Sequence, residues 1–200
     1  MYKLLLIVSL IVLLIYFLTR KVVSNNKSKD VLHQFRKGFT LIESGRAVIQ
    51  KAIKNTLYSV GIGLVMLIII LILAIKIKIL FILLPISLYL LSQILLLNNQ
   101  LKYLKYQQIW FNKNNLDVHI EWQNGEKNTF NLATDIQRVR AVKSVQKNNE
   151  ILFGYYELTI ENNKLYLPFL LEENPNNSSL FDGLKSKYTI IYKNSLYPII

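Results

Sequence analysis

The sequence contains no cysteine and only two histidines, His33 and His119. Without thiols, the chain can form no disulfide, no cysteine-ligated zinc or iron–sulfur site and no thiol nucleophile. It also has neither a glycine-rich nucleotide-binding loop nor an H-E-x-x-H motif. We therefore expect no cofactor, no metal site and no catalytic residues, and we predict that the chain is not an enzyme.

Acidic residues are scarce in the first half of the chain. Residues 1–97 contain 12 Lys and Arg against two acidic residues, whereas residues 98–200 contain 12 against ten. The formal net charge of +12 therefore belongs mostly to the first half. A basic chain is typical of nucleic-acid binding, but here the excess lies between hydrophobic runs, where the positive-inside rule explains it. We expect no nucleic-acid partner.

Long hydrophobic runs are abundant. A helix rises about 1.5 Å per residue, so about 20 apolar residues cross a bilayer core of about 30 Å. We predict three transmembrane helices, the first in residues 1–19 and the other two as a helical hairpin over residues 57–97. The first run is short, and a cleaved signal peptide is the alternative, but Arg20 and Lys21 follow it directly, which favours a retained helix. The uncharged runs are Leu4–Leu18, Leu57–Ile75 and Ile79–Leu97.

The loop between the first and second runs sets the predicted topology. Residues 20–56 contain nine basic and two acidic residues, and a loop of this kind is retained in the cytoplasm. The N-terminus is then outside, and the hairpin returns the chain to the cytoplasm. We predict a multi-pass protein of the bacterial inner membrane with a cytoplasmic C-terminal domain.

The same basic loop has apolar residues at helical spacing between Val31 and Ile53, and Asp30 can cap a helix that starts there. An amphipathic helix of this kind lies on anionic lipid. The alternative is that its apolar side packs on the transmembrane helices or on the C-terminal domain. The predicted membrane-surface contacts are Phe35, Arg36, Lys37, Phe39, Ile42 and Arg46.

From Asn98 onward, apolar and polar residues alternate with the period of a half-buried strand. The clearest row runs from Leu116 to Trp122 and is followed by a hairpin turn at Gln123–Glu126. The residues predicted to face the core are Leu116, Val118, Ile120, Trp122, Val139, Ala141, Val145, Leu152, Gly154, Tyr156, Leu158, Ile160, Leu165, Leu167 and Phe169.

A short helix is predicted at Ser178–Lys187, capped by Ser178 or Ser179, and a last strand at Tyr188–Tyr192. The predicted fold class is thus a membrane protein with three α-helical transmembrane segments and a C-terminal all-β domain over residues 98–200. Six or seven short strands with one helix indicate a small barrel or sandwich.

The polar residues Asp117, His119 and Glu121 alternate with the apolar residues of the first row. Metal binding is one interpretation of such a row. We predict instead that these three side chains form the solvated face of the strand.

The arrangement resembles bacterial pleckstrin-homology-like membrane proteins, in which a transmembrane hairpin precedes a cytoplasmic PH-like domain. The matching stretches are IWFNKNNLDVHIEWQNGEKNTFNLATDIQRVRAVKSV, GYYELTIENNKLYLPFLL and SSLFDGLKSKY. The resemblance implies a scaffold or accessory role without catalytic residues. Relatives that bind inositol phosphates use a basic cluster in the first hairpin, and the loop Phe111–Asn115 here offers only Lys113.

Two functions fit these features. The leading hypothesis is a non-enzymatic inner-membrane protein whose cytoplasmic β-domain serves as a protein-interaction scaffold, accessory subunit or regulator. Its expected partners are the lipid bilayer and another protein or a second copy of the chain. The alternative is a ligand-gated membrane effector, in which the β-domain senses a nucleotide and the helices permeabilise the membrane.

Overall fold

The chain forms two compact units. The helical unit comprises residues 53–98, and the second unit, here called the β-domain, comprises residues 38–52 together with residues 99–200. The first predicted transmembrane helix lies outside the described residues, apart from Ser9 and Tyr16. The computed structural model describes residues 9, 16, 38–74, 76–148, 150–161 and 163–200.

The helical unit consists of the apolar parts of two long helices, as the second and third uncharged runs predict, and both helices extend into the second unit. Helix α1 spans Arg46–Leu73 and helix α2 spans Leu84–Tyr106, with a 3-10 helix at Lys78–Leu83 before α2. Pro85 lies in the first turn of α2, where its missing N–H costs no helical hydrogen bond. Both helices are long and apolar enough to cross a membrane.

The two helices approach each other closely at Gly63. A Cβ atom added there would lie 2.7 Å from the Cβ of Leu90 and 3.1 Å from the carbonyl oxygen of Ser87. Gly61 has nothing within 4 Å of the same position. Of the two glycines, only Gly63 therefore permits the contact between helices.

The β-domain contains two four-stranded sheets in the described part of the chain. The strands are β1 (Thr40–Ile42), β2 (Gln107–Phe111), β3 (Asp117–Trp122), β4 (Lys127–Asn131), β5 (Ile136–Asn148), β6 (Ile151–Ile160), β7 (Asn163–Pro168) and β8 (Ile190–Ser195). The strand orders in the two sheets are β1-β2-β3-β4 and β7-β6-β5-β8.

The first sheet is antiparallel throughout, and its strand β1 comes from the segment that precedes α1. Thr40 pairs with Phe111, and Ile42 pairs with Ile109. The amphipathic helix predicted for this segment is therefore wrong at Thr40–Ile42. The edge of β2 offers the backbone of β1 a hydrogen-bonded partner, and this tertiary pairing overrides the local helical spacing.

The second sheet combines an antiparallel meander, β5 to β7, with the parallel strand β8. A parallel neighbour requires a crossover. Helix α3 (Phe169–Glu172), a 3-10 turn at Pro175–Asn177 and helix α4 (Ser178–Lys187) provide it. The bounds of α4 match the predicted helix, but the residue at its N-cap is Asn177 rather than a serine, and β8 starts two residues later than predicted.

One hydrophobic core draws on both sheets and on α4. Most of the predicted inward rows are confirmed, and Leu116, Trp122 and Leu152 are partly buried against the same core. The core residues are Ile42, Ile109, Phe111, Val118, Ile120, Phe130, Leu132, Ile136, Val139, Ala141, Tyr156, Leu158, Ile160, Leu165, Leu167, Phe169, Leu171, Leu180, Phe181 and Leu184.

Two side-chain predictions on these strands are wrong. Val145 is 63% exposed, because the register of β5 shifts between Lys143 and Lys147, and such a bulge changes which side chains face inward. His119 is only 4% exposed instead of solvated. Its ring lies 5.6 Å from that of Trp110, and its Nδ1 lies 2.7 Å from Thr129 Oγ1 on the neighbouring strand.

Candidate functional site

The predicted membrane-surface residues fall into three groups: those outside the described residues, one in the core and two that are accessible. Phe35, Arg36 and Lys37 lie outside the described residues. Ile42 is 4% exposed and belongs to the core of the β-domain, so its predicted lipid contact is corrected to a core contact. Phe39 is half-buried and Arg46 is exposed at the start of α1, and for these two the lipid contact stays a prediction.

The segment before α1 and the first turns of α1 contact the rest of the β-domain at three further points. Thr40 Oγ1 donates to the carbonyl of Phe111 at 3.0 Å, in addition to the strand pairing. The carbonyl of Glu43 accepts from Asn174 Nδ2 at 2.7 Å and from Asn177 Nδ2 at 2.9 Å. Lys51 forms an exposed ion pair with Glu150 at 2.7 Å.

The most prominent exposed feature of the β-domain is strand β8, which lies at the end of its sheet. Among the described strands it pairs with β5 alone. Ile191 is 44% exposed and Tyr192 is 60% exposed. This is unusual, because at least one face of a sheet is normally packed on the core and its large apolar side chains are buried there. Strand β8 therefore offers both an open backbone edge and apolar contact area.

A groove adjoins the inner face of β8. Its volume is about 460 Å³, and it is open to solvent. Tyr192 reaches it from β8, and β5, β6 and the crossover provide its other walls. The groove is lined by Lys143, Leu152, Tyr156, Phe169, Glu172, Glu173, Pro175 and Tyr192.

The polar wall of the groove is organised around Glu172 at the end of α3. The hydroxyl of Tyr156 donates to Glu172 Oε2 at 2.7 Å, and Lys185 pairs with Oε1 of the same carboxylate. Burial of the ring, together with this hydrogen bond, holds the pKa of Tyr156 well above its usual value. The hydrogen bond from Lys185 to Glu172 raises the pKa of that ammonium group. Tyr156 and Lys185 therefore both stay protonated at neutral pH, and Glu172 is already engaged by two donors.

Lys143 and Tyr192 also line the groove and contact each other. Lys143 Nζ lies 5.2 Å from the centroid of the Tyr192 ring, which is the geometry of a cation–π contact. The strand register brings the two side chains together. Ala141 pairs with Tyr192, and Lys143 lies two residues after Ala141 on the same face of β5. An exposed aromatic ring is thus held beside a basic side chain.

The floor of the groove depends on a glycine. A Cβ atom at Gly154 would lie 2.6 Å from the ring of Phe169 and 2.5 Å from the carbonyl oxygen of Val142. The absence of a side chain lets Phe169 lie directly on β6. Phe169 in turn contacts the ring of Tyr156, with centroids 4.8 Å apart.

Asp117, His119 and Glu121, the polar residues considered for metal binding, do not point to a common site. Asp117 accepts from the Asn131 amide at 2.9 Å, and Glu121 pairs with Lys127 at 3.2 Å. Within the described ranges, no three His, Asp or Glu side chains are grouped so that they could hold a metal ion.

The last strand is predicted from the sequence at Tyr188–Tyr192, but its parallel pairing with β5 at the edge of the sheet, the groove beside it and the place of Lys143 in that groove are not. The lack of any acidic residue in Ile136–Asn148 and Ile190–Ser195 was a usable signal for a basic pair of strands. Comparison of the chain with protein-family models, with curated proteins and with solved structures gave no match.

Proposed function

We propose that the chain is a non-enzymatic, multi-pass protein of the bacterial inner membrane, inserted through α1 and α2, whose cytoplasmic β-domain binds another protein. Only 33% of the most apolar stretch of α1 is buried within the protein. For the helical span Lys78–Tyr106, which contains α2, the buried share is 22%. The core helix of a soluble domain would be mostly covered, whereas Ile69 of α1 and Ile86 of α2 are exposed by 49% and 51%. Lipid hydrocarbon suits such surfaces.

The pairing of β1 with β2 fits insertion of both helices and argues against insertion of only one. Strand β1 precedes α1, and β2 follows α2, yet the two strands form one ladder. A chain that crosses the bilayer twice returns to the side from which it started. Two crossings between Ile42 and Gln107 therefore agree with the strand pairing, and a single crossing would prevent it.

The observation that carries the protein-binding proposal is the open edge of β8. An unpaired strand edge presents backbone N–H and C=O groups that an extended segment of another protein can bind by adding a strand. Ile191 and Tyr192 flank that edge on opposite faces of the sheet, since successive side chains of a strand alternate. A bound segment would gain both backbone hydrogen bonds and apolar contacts.

Charge defines the chemistry of the partner. Strands β5 and β8 contain Arg138, Arg140, Lys143, Lys147 and Lys193 and no acidic residue. Arg140 pairs with Glu157 of β6 at 3.6 Å, whereas Arg138, Lys143, Lys147 and Lys193 form no ion pair with a described carboxylate. The surface therefore suits an extended acidic segment with apolar residues, and binding of this kind fits a scaffold, an accessory subunit or a regulator.

Site-specific photo-crosslinking tests the proposal. A photoreactive phenylalanine analogue replaces Tyr192 in the full-length protein in its native membrane. We expect a discrete adduct in which mass spectrometry maps the linked partner residues to an acidic, extended segment. Lys193→Glu should abolish the adduct, and the matched variant Lys113→Glu, in the exposed loop between β2 and β3, should leave it unchanged.

Two results would contradict it. If no adduct forms, or if Lys193→Glu and Lys113→Glu have the same effect, then β8 is not the docking edge. If the only adduct joins two copies of the chain, β8 mediates self-association instead.

The ligand-gated alternative is less well supported by the groove. Two carboxylates, Glu172 and Glu173, line it together with a single lysine, Lys143. A phosphate group would be repelled by the carboxylates in this setting. Retention of ATP or GTP by the detergent-solubilised protein in equilibrium dialysis, together with growth arrest on overexpression, would favour the effector.

We also propose a PH-like architecture for the β-domain. The support is its two packed sheets, its meander β5–β7 and the following helix α4, which contributes Leu180, Phe181 and Leu184 to the core. Strand β8, parallel to β5, and strand β1, which lies before the hairpin, are additions to the pattern that suggested the family.

A further inference from the structure

The segment Leu196–Ile200, which follows β8, exposes several large apolar side chains in a short stretch. Leu196 is 58% exposed, Ile199 is 54% exposed, and Tyr197 is 42% exposed. Three exposed large apolar side chains lie within four residues, and such a concentration usually marks a contact surface.

Hydrogen bonds attach this segment to the end of α2. The side-chain amide of Asn99 donates to the carbonyl of Ile200 at 3.1 Å and accepts from its N–H at 3.0 Å. Gln100, which is fully buried, donates through Nε2 to the carbonyl of Pro198 at 3.3 Å. These three bonds fix the backbone of the segment beside two consecutive residues of the helix.

The position of those two residues on α2 indicates what the segment contacts. Asn99 follows Leu97, the last residue of the uncharged run, by two positions within one continuous helix. Two residues correspond to about 3 Å along the helix axis. The hydrogen bonds therefore hold the backbone of Pro198 and Ile200 beside the residues of α2 that directly follow the apolar run.

We propose that Leu196–Ile200 is a lipid-contact site that inserts its apolar side chains into the interface of the bilayer. The proposal rests on the membrane insertion of α2 proposed above. Tyrosine is enriched at membrane interfaces, where its ring is in an apolar layer and its hydroxyl in a wet one, and leucine and isoleucine partition into the adjacent acyl chains.

Basic residues near the segment suit contact with the headgroups of anionic lipids. Lys102 and Lys105 are exposed on the last turns of α2. Residues 98–106 and 190–200 contain no acidic residue. Basic side chains near the headgroups of anionic lipids are attracted to them, so the surroundings of the segment add to the apolar contact.

Spin labelling of the full-length protein tests the site, and the absence of cysteine from the sequence makes single-cysteine variants possible without further changes. Ile199→Cys carries a nitroxide in vesicles of phosphatidylethanolamine and phosphatidylglycerol. Collision with oxygen, which concentrates in lipid, is compared with collision with a water-soluble nickel complex. We expect a severalfold higher oxygen-to-nickel ratio at position 199 than for Lys113→Cys, whose residue is exposed in a loop.

A third label, Ile69→Cys within the apolar run of α1, separates this inference from the membrane proposal. If position 69 reports lipid and position 199 reports water, the lipid-contact site is wrong and the insertion of the helices stands. If both positions report water, the insertion itself fails. If position 199 is protected from both reagents, protein covers the segment, and the lipid assignment is again wrong.

Discussion

The side-chain amide of Asn177 donates to the backbone carbonyl of Glu43 at 2.9 Å, although 134 positions separate the two residues. The same Nδ2 donates to the carbonyl of Leu171 at 2.6 Å, so both of its hydrogens bind backbone acceptors. Asn177 is 1% exposed. One buried amide thus joins the segment before α1 to the crossover that leads to β8.

Asn177→Ala should destabilise the β-domain, because it leaves the Leu171 carbonyl without this donor in a buried setting. The expected loss is about 1–3 kcal/mol of the free energy of unfolding. Trp110 and Trp122 are the only tryptophans and both lie in the β-domain, so thermal unfolding followed by fluorescence reports this domain alone. Asn176→Ala, at an exposed neighbouring position, serves as the control and should keep the parent midpoint. Equal midpoints for both variants would show that the buried amide has no such role.

The attachment of the Glu43 segment illustrates what the sequence could not predict. Strand β1 has three residues, and its partner β2 lies beyond both apolar helices. No local pattern signals a strand of that length, while apolar residues at spacings of three and four around it fit a helix equally well. The pairing is decided by the tertiary structure. By contrast, the long alternating row of β6 contains its own signal, and Tyr156, Leu158 and Ile160 are in the core as predicted.

The candidate site was harder to predict than the fold for the same reason. The groove depends on the register that places Tyr192 opposite Ala141, and on the parallel crossover that brings β8 beside β5. Neither is encoded by neighbouring residues. The bulge after Lys143, which turns Val145 outward, also follows from the pairing with β6 rather than from a recognisable turn signal.

Gly63→Ala should loosen the helical hairpin, because its new methyl group would lie 2.7 Å from the Cβ of Leu90. Overpacking of this kind costs about 1–3 kcal/mol. Gly61→Ala is the matched control, since the same atom there meets nothing within 4 Å. Thermal unfolding in detergent, followed by far-ultraviolet circular dichroism, should show a lower midpoint for Gly63→Ala only. If both variants lowered the midpoint, the cause would be the loss of glycine from the helix backbone and not a steric clash between the two helices.

Leu158→Asp should prevent folding of the β-domain. Leu158 is fully buried at the centre of the core, and an unpaired carboxylate cannot be accommodated there. Glu121→Ala removes only a surface ion pair with Lys127 and should change the free energy of unfolding by less than about 0.5 kcal/mol. Tryptophan fluorescence of the two detergent-solubilised variants measures both effects. A folded Leu158→Asp protein with the parent spectrum would contradict the arrangement of the core.

The stability of the β-domain should fall at alkaline pH, partly because of Tyr156. Its pKa is raised in the folded protein by burial and by the hydrogen bond to Glu172. The unfolded chain loses this proton at a pKa of about 10 while the folded protein keeps it, so the contribution is complete below about pH 10 and is lost above it. Tyr156→Phe should therefore show a smaller decrease in unfolding midpoint between about pH 8 and about pH 11 than the parent. Parallel decreases in the two proteins would exclude ionisation of Tyr156 as a cause.

The β-domain should be in the cytoplasm, with the turn between α1 and α2 on the opposite side of the membrane. Residues 20–56 contain nine basic and two acidic residues, and Lys102 and Lys105 follow the second apolar run, whereas the turn offers only Lys76 and Lys78. The side with the larger basic excess is retained in the cytoplasm. A fluorescent protein fused after Ile200 should fold and fluoresce, and alkaline phosphatase fused there should be inactive. Alkaline phosphatase inserted after Ile77 should instead be active, because the turn is exported. An active phosphatase after Ile200 with a dark fluorescent fusion would invert the topology, and it would place the open edge of β8 outside the cytoplasm.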